Sequence, residues 1–279
     1  MDPRFHAAQQ AIRDDQPERL EALLRAQPEL RHVASEDPRD HPNLLNCLVL
    51  ELPPRRDLRA LMALFREGGA DLGSALVAAA SVDNRPAVRA LLDWGTPLNP
   101  STGWSALDEA LYWVHTGLVA ELRERGAVVR SLRGWAAVGD VAGVRGCFDA
   151  EGRLTAEAGE LAWPFGGRMP VSDLRDRDAL LSNALTYACQ WGQPETAREL
   201  VARGAPLNAL AAGFDFNGTP LHYAALHNHR ALCDWLLACG ADPTRRDGKV
   251  HTFPDNWAAH GGHRELSQHL ARIRESHGG

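Results

Sequence analysis

The sequence predicts an all-α solenoid of about eight helix pairs, several of them degenerate, with one long loop insertion. Three observations predict it. Pairs of short helical patterns recur at spacings of roughly 30 to 40 residues, which is the period of stacked repeat architectures. Within each pair the first helix shows small apolar residues, and the second shows leucines at 3–4 residue spacing. Most pairs then close on a glycine, the residue that stops a helix at least cost.

The clearest unit runs from Gly218 to Asp247. Thr219-Pro220 opens a helix, with proline at the first helical position, where its missing N–H costs nothing. Leu221, Ala224 and Ala225 give that helix a small buried side, and Asn228-His229 makes the turn. Ala231, Leu232, Leu236 and Leu237 line the second helix, and Gly240 ends it.

The other units follow in chain order. Phe5 to Ile12 with Leu20, Leu23 and Leu24 is an N-terminal cap. Leu44 to Leu50 pairs with Leu58, Leu61 and Leu64, closed by Gly69-Ala70-Asp71. Ser74 to Ala80 pairs with Val88, Leu91 and Leu92, closed by Gly95. Ser105-Ala106-Leu107-Asp108 and Ala110 pair with Leu122, closed by Gly126-Ala127. Trp135-Ala136-Ala137 and Val141 to Cys147 form a shortened pair. Asn183 to Cys189 pairs with Leu200-Val201 and closes at Gly204-Ala205, and Trp257 to His263 with Leu266 and Leu270 ends the array. The expected organisation is degenerate repeats over 1–148, a loop insertion over 149–178 and further repeats over 179–279, continuous as one solenoid whose stability comes from stacking.

Gly218-Thr219-Pro220-Leu221-His222-Tyr223-Ala224-Ala225, followed by Leu236-Leu237 and Gly240-Ala241-Asp242-Pro243, resembles the ankyrin repeat almost position for position. The whole resembles bacterial ankyrin-repeat proteins of unassigned role, with a closing unit degraded to Asn256-Trp257-Ala258-Ala259-His260-Gly261-Gly262-His263. The resemblance implies a protein-binding scaffold or adaptor that works through finger loops and inner helices.

Composition narrows the partner classes. The formal charge is −6, and no run of five or six Lys/Arg exists, which argues against nucleic acid as the main partner. No stretch approaches 18 apolar residues and the N-terminus lacks an apolar leader, so no membrane partner is expected. Five cysteines without a CxxC fit free, reduced thiols in a cytoplasmic protein. Nothing in the pattern argues for a homo-oligomer.

Three stretches break the period: Ala34 to Asn43, acidic and proline-rich; Asp149 to Asp178, with Trp163 and Phe165 beside Pro164 and Gly166-Gly167; and Asn208 to Gly218, where Phe214 and Phe216 flank Asp215. The middle one is expected to be an ordered loop packed on the body. Aromatic residues in an exposed loop are costly unless they pack or bind.

In this repeat the last residues of the first helix face the concave side. One row is Val82, Trp113, Trp191, His227 and Gly261; the other is Ser81, Tyr112, Gln190, Leu226 and His260. Tryptophan and tyrosine are enriched at the energetic centres of interfaces. The expected contact residues are therefore Tyr112, Trp113, Gln190, Trp191, Phe214, Phe216, Leu226, His227 and His260. Trp94 and Trp235 are expected to pack on the outer helices, and Asp108 and His222 to hold finger backbone.

The alternative is a small-molecule site, catalytic if His227, His260 and Asp215 come together across adjacent repeats. Six histidines fall between His222 and His263, and histidine titrates near neutrality. Yet His227 and His229 are two apart in a turn, and His260 and His263 share a face only through Gly261-Gly262. There is no HExxH, zinc cysteine pair, Gly-rich phosphate loop or nucleophile elbow, so neither a cofactor nor a metal is expected and an enzyme lacks a motif.

Overall fold

Each helix starts where a cap or a proline permits it. Asp71 and Ser131 accept from the backbone N–H three residues on, and Asn84, Asp140 and Asp176 do the same. Each such bond satisfies one of the donors a helix start leaves orphaned. Ser105 and Asp108 form a reciprocal capping box, with Ser105 N–H donating to Asp108 at 3.1 Å. Pro17, Pro194, Pro220 and Pro254 open their helices.

The computed structural model describes residues 3–32, 43–51, 59–66, 69–101, 103–164 and 172–277. The acidic stretch before Asn43, together with Leu58 and Phe165-Gly166-Gly167, lies outside them. Among the described residues there are sixteen α-helices and no strand. They divide into two compact units, Met1–Val128 and Val129–Gly279.

The first unit holds α1 (Pro3–Arg13), α2 (Pro17–Ala26), α3 (Leu44–Glu51), α4 (Arg59–Arg66), α5 (Leu72–Ser81), α6 (Arg85–Asp93), α7 (Ala106–Tyr112) and α8 (Thr116–Glu124). The first helices of its pairs stack in order, α1 on α3, α3 on α5 and α5 on α7. Small Ala75, Ala79 and Ala110 allow this close approach and are fully buried. In α4 the buried face is Leu61, Met62 and Phe65, with Leu64 only half-buried. The leucine spacing alone places that face one residue off, because Phe65 is the larger apolar group and takes the core position.

The second unit holds α9 (Leu132–Ala137), α10 (Val141–Gly146), α11 (Arg177–Gln190), α12 (Pro194–Ala202), α13 (Pro220–Leu226), α14 (Arg230–Ala238), α15 (Pro254–His260) and α16 (Arg264–His277). Its core joins Leu132, Leu181, Leu185, Leu200, Leu221, Leu232, Leu236 and Leu266. In α14 the buried residues are Leu232, Cys233 and Leu236, while Ala231 is exposed and Leu237 half-buried. Truncating a buried leucine such as Leu236 to alanine costs roughly 2–5 kcal/mol. Cys47, Cys147, Cys189 and Cys233 are buried free thiols, whereas Cys239 is exposed beyond the end of α14.

The stretch after α10 is ordered where described. Phe148 bridges to Leu154, a 3-10 turn spans Ala156–Ala158, and Leu161 N–H donates to Leu174 O at 2.8 Å. Trp163 packs on Leu161 and Leu180, so this loop does lie against the body of its unit. The helix that follows begins at Arg177, earlier than the apolar pattern shows, because Asp176 caps it by accepting from Ala179 N–H at 2.8 Å.

Candidate functional site

Most of the candidate contact residues lie where a first helix ends and turns into its partner. Those turns need left-handed backbone. Gly192 supplies it at φ 64°, and a Cβ there would also strike the His229 imidazole at 2.5 Å. Asn228 adopts φ 60° at the equivalent position. Val114 also sits at φ 60°, which is a true outlier for a β-branched residue.

The two predicted rows separate. In the first row Val82 is 40% and Trp113 44% exposed, and Trp191, His227 and Gly261 are half-buried. In the second row Tyr112 and Gln190 are buried, Leu226 is half-buried, and only His260 is exposed. Tyr112 and Gln190 are therefore core residues first. Ser81, Val82, Tyr112 and Trp113 belong to the first unit, and Gln190, Trp191, Leu226, His227, His260 and Gly261 belong to the second.

The second row has a backbone duty that its side chains conceal. His229 donates from Nε2 to the carbonyl of Gln190 at 3.0 Å, and His263 to that of Leu226 at 3.0 Å. In the first unit His115 donates to Ser81 at 2.9 Å. Each histidine reaches from the turn of one repeat to the last turn of the first helix before it. A histidine three residues past the ends of α7, α13 and α15 is the sequence signal for this staple.

Around Trp113 the site is built on a buried acid. Glu109 is 4% exposed and accepts the indole N–H of Trp113 at 2.7 Å and of Trp104 at 2.5 Å. Burial raises the Glu109 pKa, and the two indole hydrogen bonds oppose that rise. The Tyr112 ring packs edge-on between the two indoles, 6.3 Å from Trp104 and 5.1 Å from Trp113. Glu109 went unnoticed in the sequence because a glutamate inside a helix ordinarily faces water.

In the second unit the 208–218 finger divides its two phenylalanines. Phe214 is buried between Tyr187 (4.9 Å) and Tyr223 (4.6 Å), so it is a core residue and no contact. Phe216 is 46% exposed, edge-on to Trp257 at 6.0 Å. Asp215 accepts from Lys249 Nζ at 2.5 Å.

The histidines divide likewise. His222 accepts from Thr219 N–H on Nδ1 (3.1 Å) and donates from Nε2 to Thr252 O (3.2 Å), which is the finger-holding duty expected of it. Burial pushes its pKa down to about 4. His227 lies stacked on His229, ring centroids 6.3 Å apart, and burial with its histidine neighbours pushes it to about 4 as well. Among the described residues no cluster of three or more His, Cys, Asp or Glu side chains is arranged to hold a metal ion. Trp94 caps the end of α6 and Trp235 lies in α14, each near an arginine, Arg66 at 5.7 Å and Arg198 at 5.8 Å.

The repeat geometry, the Thr219-Pro220-Leu221-His222 helix head and the glycine-closed second helices meet in a family match. Residues 169–247 match the model of ankyrin repeats in three copies. The chain carries ankyrin repeats. Three curated proteins share parts of it. It is 34% identical over 114 residues to the ARF GTPase-activating protein GIT2 of Rattus norvegicus, covering 39% of this chain and 14% of that protein. It is 46% identical over 54 residues to the ankyrin repeat and LEM domain-containing protein 1 homolog of Caenorhabditis elegans, covering 19% and 7%. It is 35% identical over 77 residues to the palmitoyltransferase ZDHHC13 of Mus musculus, covering 28% and 12%. The ankyrin-repeat chain thus spans 14% or less of the length of each of these relatives. No helix among the described residues is long and apolar enough to cross a membrane.

Proposed function

We propose that this protein is a binding scaffold or adaptor whose partner protein docks on the first-helix ends, with Trp113 in the first unit and Trp191 and His227 in the second among the contacts. Ankyrin repeats generally mediate protein–protein interaction, and that sets the class. One observation carries the finer reading. Trp113 exposes 44% of a large apolar side chain while its indole N–H is held by a buried carboxylate. A tryptophan locked in one orientation loses little rotamer freedom on docking, which is the property of an energetic hot spot. Of the nine side chains expected to touch a partner, Trp113, Trp191, Phe216, Leu226, His227 and His260 keep surface, and Tyr112, Gln190 and Phe214 support them from below.

The test is affinity capture from the native host lysate, comparing the wild type with the double variant Trp113→Ala, Trp191→Ala, both shown to be folded by circular dichroism. A protein retained by the wild type and lost by the variant supports the reading. Equal retention by both, or a co-purifying metabolite with no protein, contradicts it.

A further inference from the structure

In the second unit three imidazoles meet where consecutive repeats join. His227 closes α13 and His229 heads α14, and the two rings stack with centroids 6.3 Å apart and planes 25° off parallel. His263 stands immediately before α16 and donates from Nε2 to the carbonyl of Leu226 at 3.0 Å. That carbonyl belongs to the peptide bond that carries the His227 nitrogen. His229 in turn donates to Gln190 O at 3.0 Å. His227 thus sits between two staples, one reaching to the repeat before it and one arriving from the repeat after it.

The edge is closed tightly around these rings. A Cβ on Gly261 would strike Leu226 O at 2.4 Å and the His263 imidazole at 2.8 Å, as one on Gly192 would strike His229. The two glycines make room for the staples, and His227 is half-buried beside them.

No group around His227 favours a proton on it. The helices packed on α13 are α11, α14 and α15. α11 ends in Gln190 and Trp191, which carry no charge. α14 offers His229, and its Arg230 is turned to Asp234 at 3.8 Å. α15 ends in His260, which is exposed, and so are Arg264 and Glu265 beyond His263. Burial, followed by His229 and then His263, holds the His227 pKa down at about 4. At the ends of the corresponding helices stand Trp113 for α7 and Trp191 for α11. The His115 staple of the first unit therefore has a tryptophan where the second unit has His227.

We propose that this edge of the second unit is an acid-operated joint, in which a proton taken by His227 opens the turns 226–230 and 260–264 while the rest of the unit stays folded. In the open turn the imidazole recovers its ordinary affinity for a proton, which the closed turn denies it. The joint is shut above about pH 6.5 and loosens progressively as the pH falls towards about 4. Small cooperative parts of a fold open in this way without global unfolding. His222 lies at the other end of α13 and stays buried when the turns open. The joint is a property of the chain itself and holds whether or not a partner docks on this edge.

The experiment is hydrogen–deuterium exchange of the full chain, corrected for the intrinsic effect of pH on amide exchange, with wild type, His227→Gln and His222→Gln compared. In the wild type the opening constant of turns 226–230 and 260–264 should rise about 20-fold between about pH 7 and about pH 5. The turn 112–116 of the first unit should not change. His227→Gln should remove the rise, and His222→Gln should keep it. No rise at all, an equal rise at 112–116, or a rise that survives His227→Gln overturns the proposal. So does a rise abolished by His222→Gln, which would mean that the whole unit unfolds. Should His227→Gln fail to fold, the imidazole resonances of the wild type decide. A His227 ring still neutral at about pH 5 in the folded chain supports the joint, and one that titrates near the ordinary value of about 6.5 overturns it.

Discussion

His229 donates from Nε2 to the backbone carbonyl of Gln190 across 3.0 Å, joining the turn of one repeat to the end of the first helix in the repeat before it. His263 makes the same bond to Leu226 and His115 the same bond to Ser81. The stacked helices are thus tied by directional bonds at the edge where the candidate contact side chains emerge. Losing one leaves a carbonyl without its donor. His229→Ala and His263→Ala are each expected to destabilise the fold by about 1–3 kcal/mol, read as a lowered urea midpoint.

Val114 occupies a left-handed turn that a β-branched side chain resists, at φ 60°. Asn228 holds the equivalent turn in another repeat at φ 60°. Val114→Asn should therefore raise stability by roughly 1 kcal/mol, since a residue held in such a conformation costs about 1–3 kcal/mol. A higher urea midpoint with an unchanged slope would report it.

Acid should weaken the second unit. His222 is neutral in the folded chain, with its pKa depressed to about 4 from an ordinary 6.5 by burial. The unfolded chain therefore binds the extra proton first as pH falls. The stabilisation is fully present above about 6.5 and is lost progressively as pH drops towards about 4, a range worth on the order of 3 kcal/mol. His227 adds to the same window. Denaturation curves from pH 7 to about 4 should show stability falling, and His222→Gln should flatten that slope.

Glu109 is the support under Trp113. Glu109→Ala strands two indole donors and empties a buried position, so a loss of about 2–4 kcal/mol is expected. Trp113→Phe keeps an aromatic ring but loses the indole N–H and part of the ring surface, so it should cost less, about 1 kcal/mol. Calorimetric melting of the two variants checks the order.

How much of this was legible in the sequence depended on how local each signal was. Thr219-Pro220 and Gly240 mark helix ends through their own backbone, so the helix pairs could be read directly. The face of α4 could not, because Leu61 and Leu64 fit a helical spacing as well as Met62 and Phe65 do, and only the packed neighbours choose. Phe214 and Phe216 sit two residues apart in an irregular loop with no periodicity to orient them, and the fold buries the first and exposes the second. The stapling role of His229 and His263 was not legible because their partners, the carbonyls of Gln190 and Leu226, lie a whole repeat upstream. Glu109 stayed hidden because its burial depends on Trp104 and Trp113 both turning their N–H groups inward.

The most direct test of the proposed function is hydrogen–deuterium exchange on the chain bound to a partner recovered by capture. The account predicts slowed exchange in the peptides spanning Tyr112 to Thr116, Gln190 to Pro194 and Leu226 to Arg230. Protection confined to the second helices, α8, α12 and α14, with those turns exchanging as in the free protein, would contradict it.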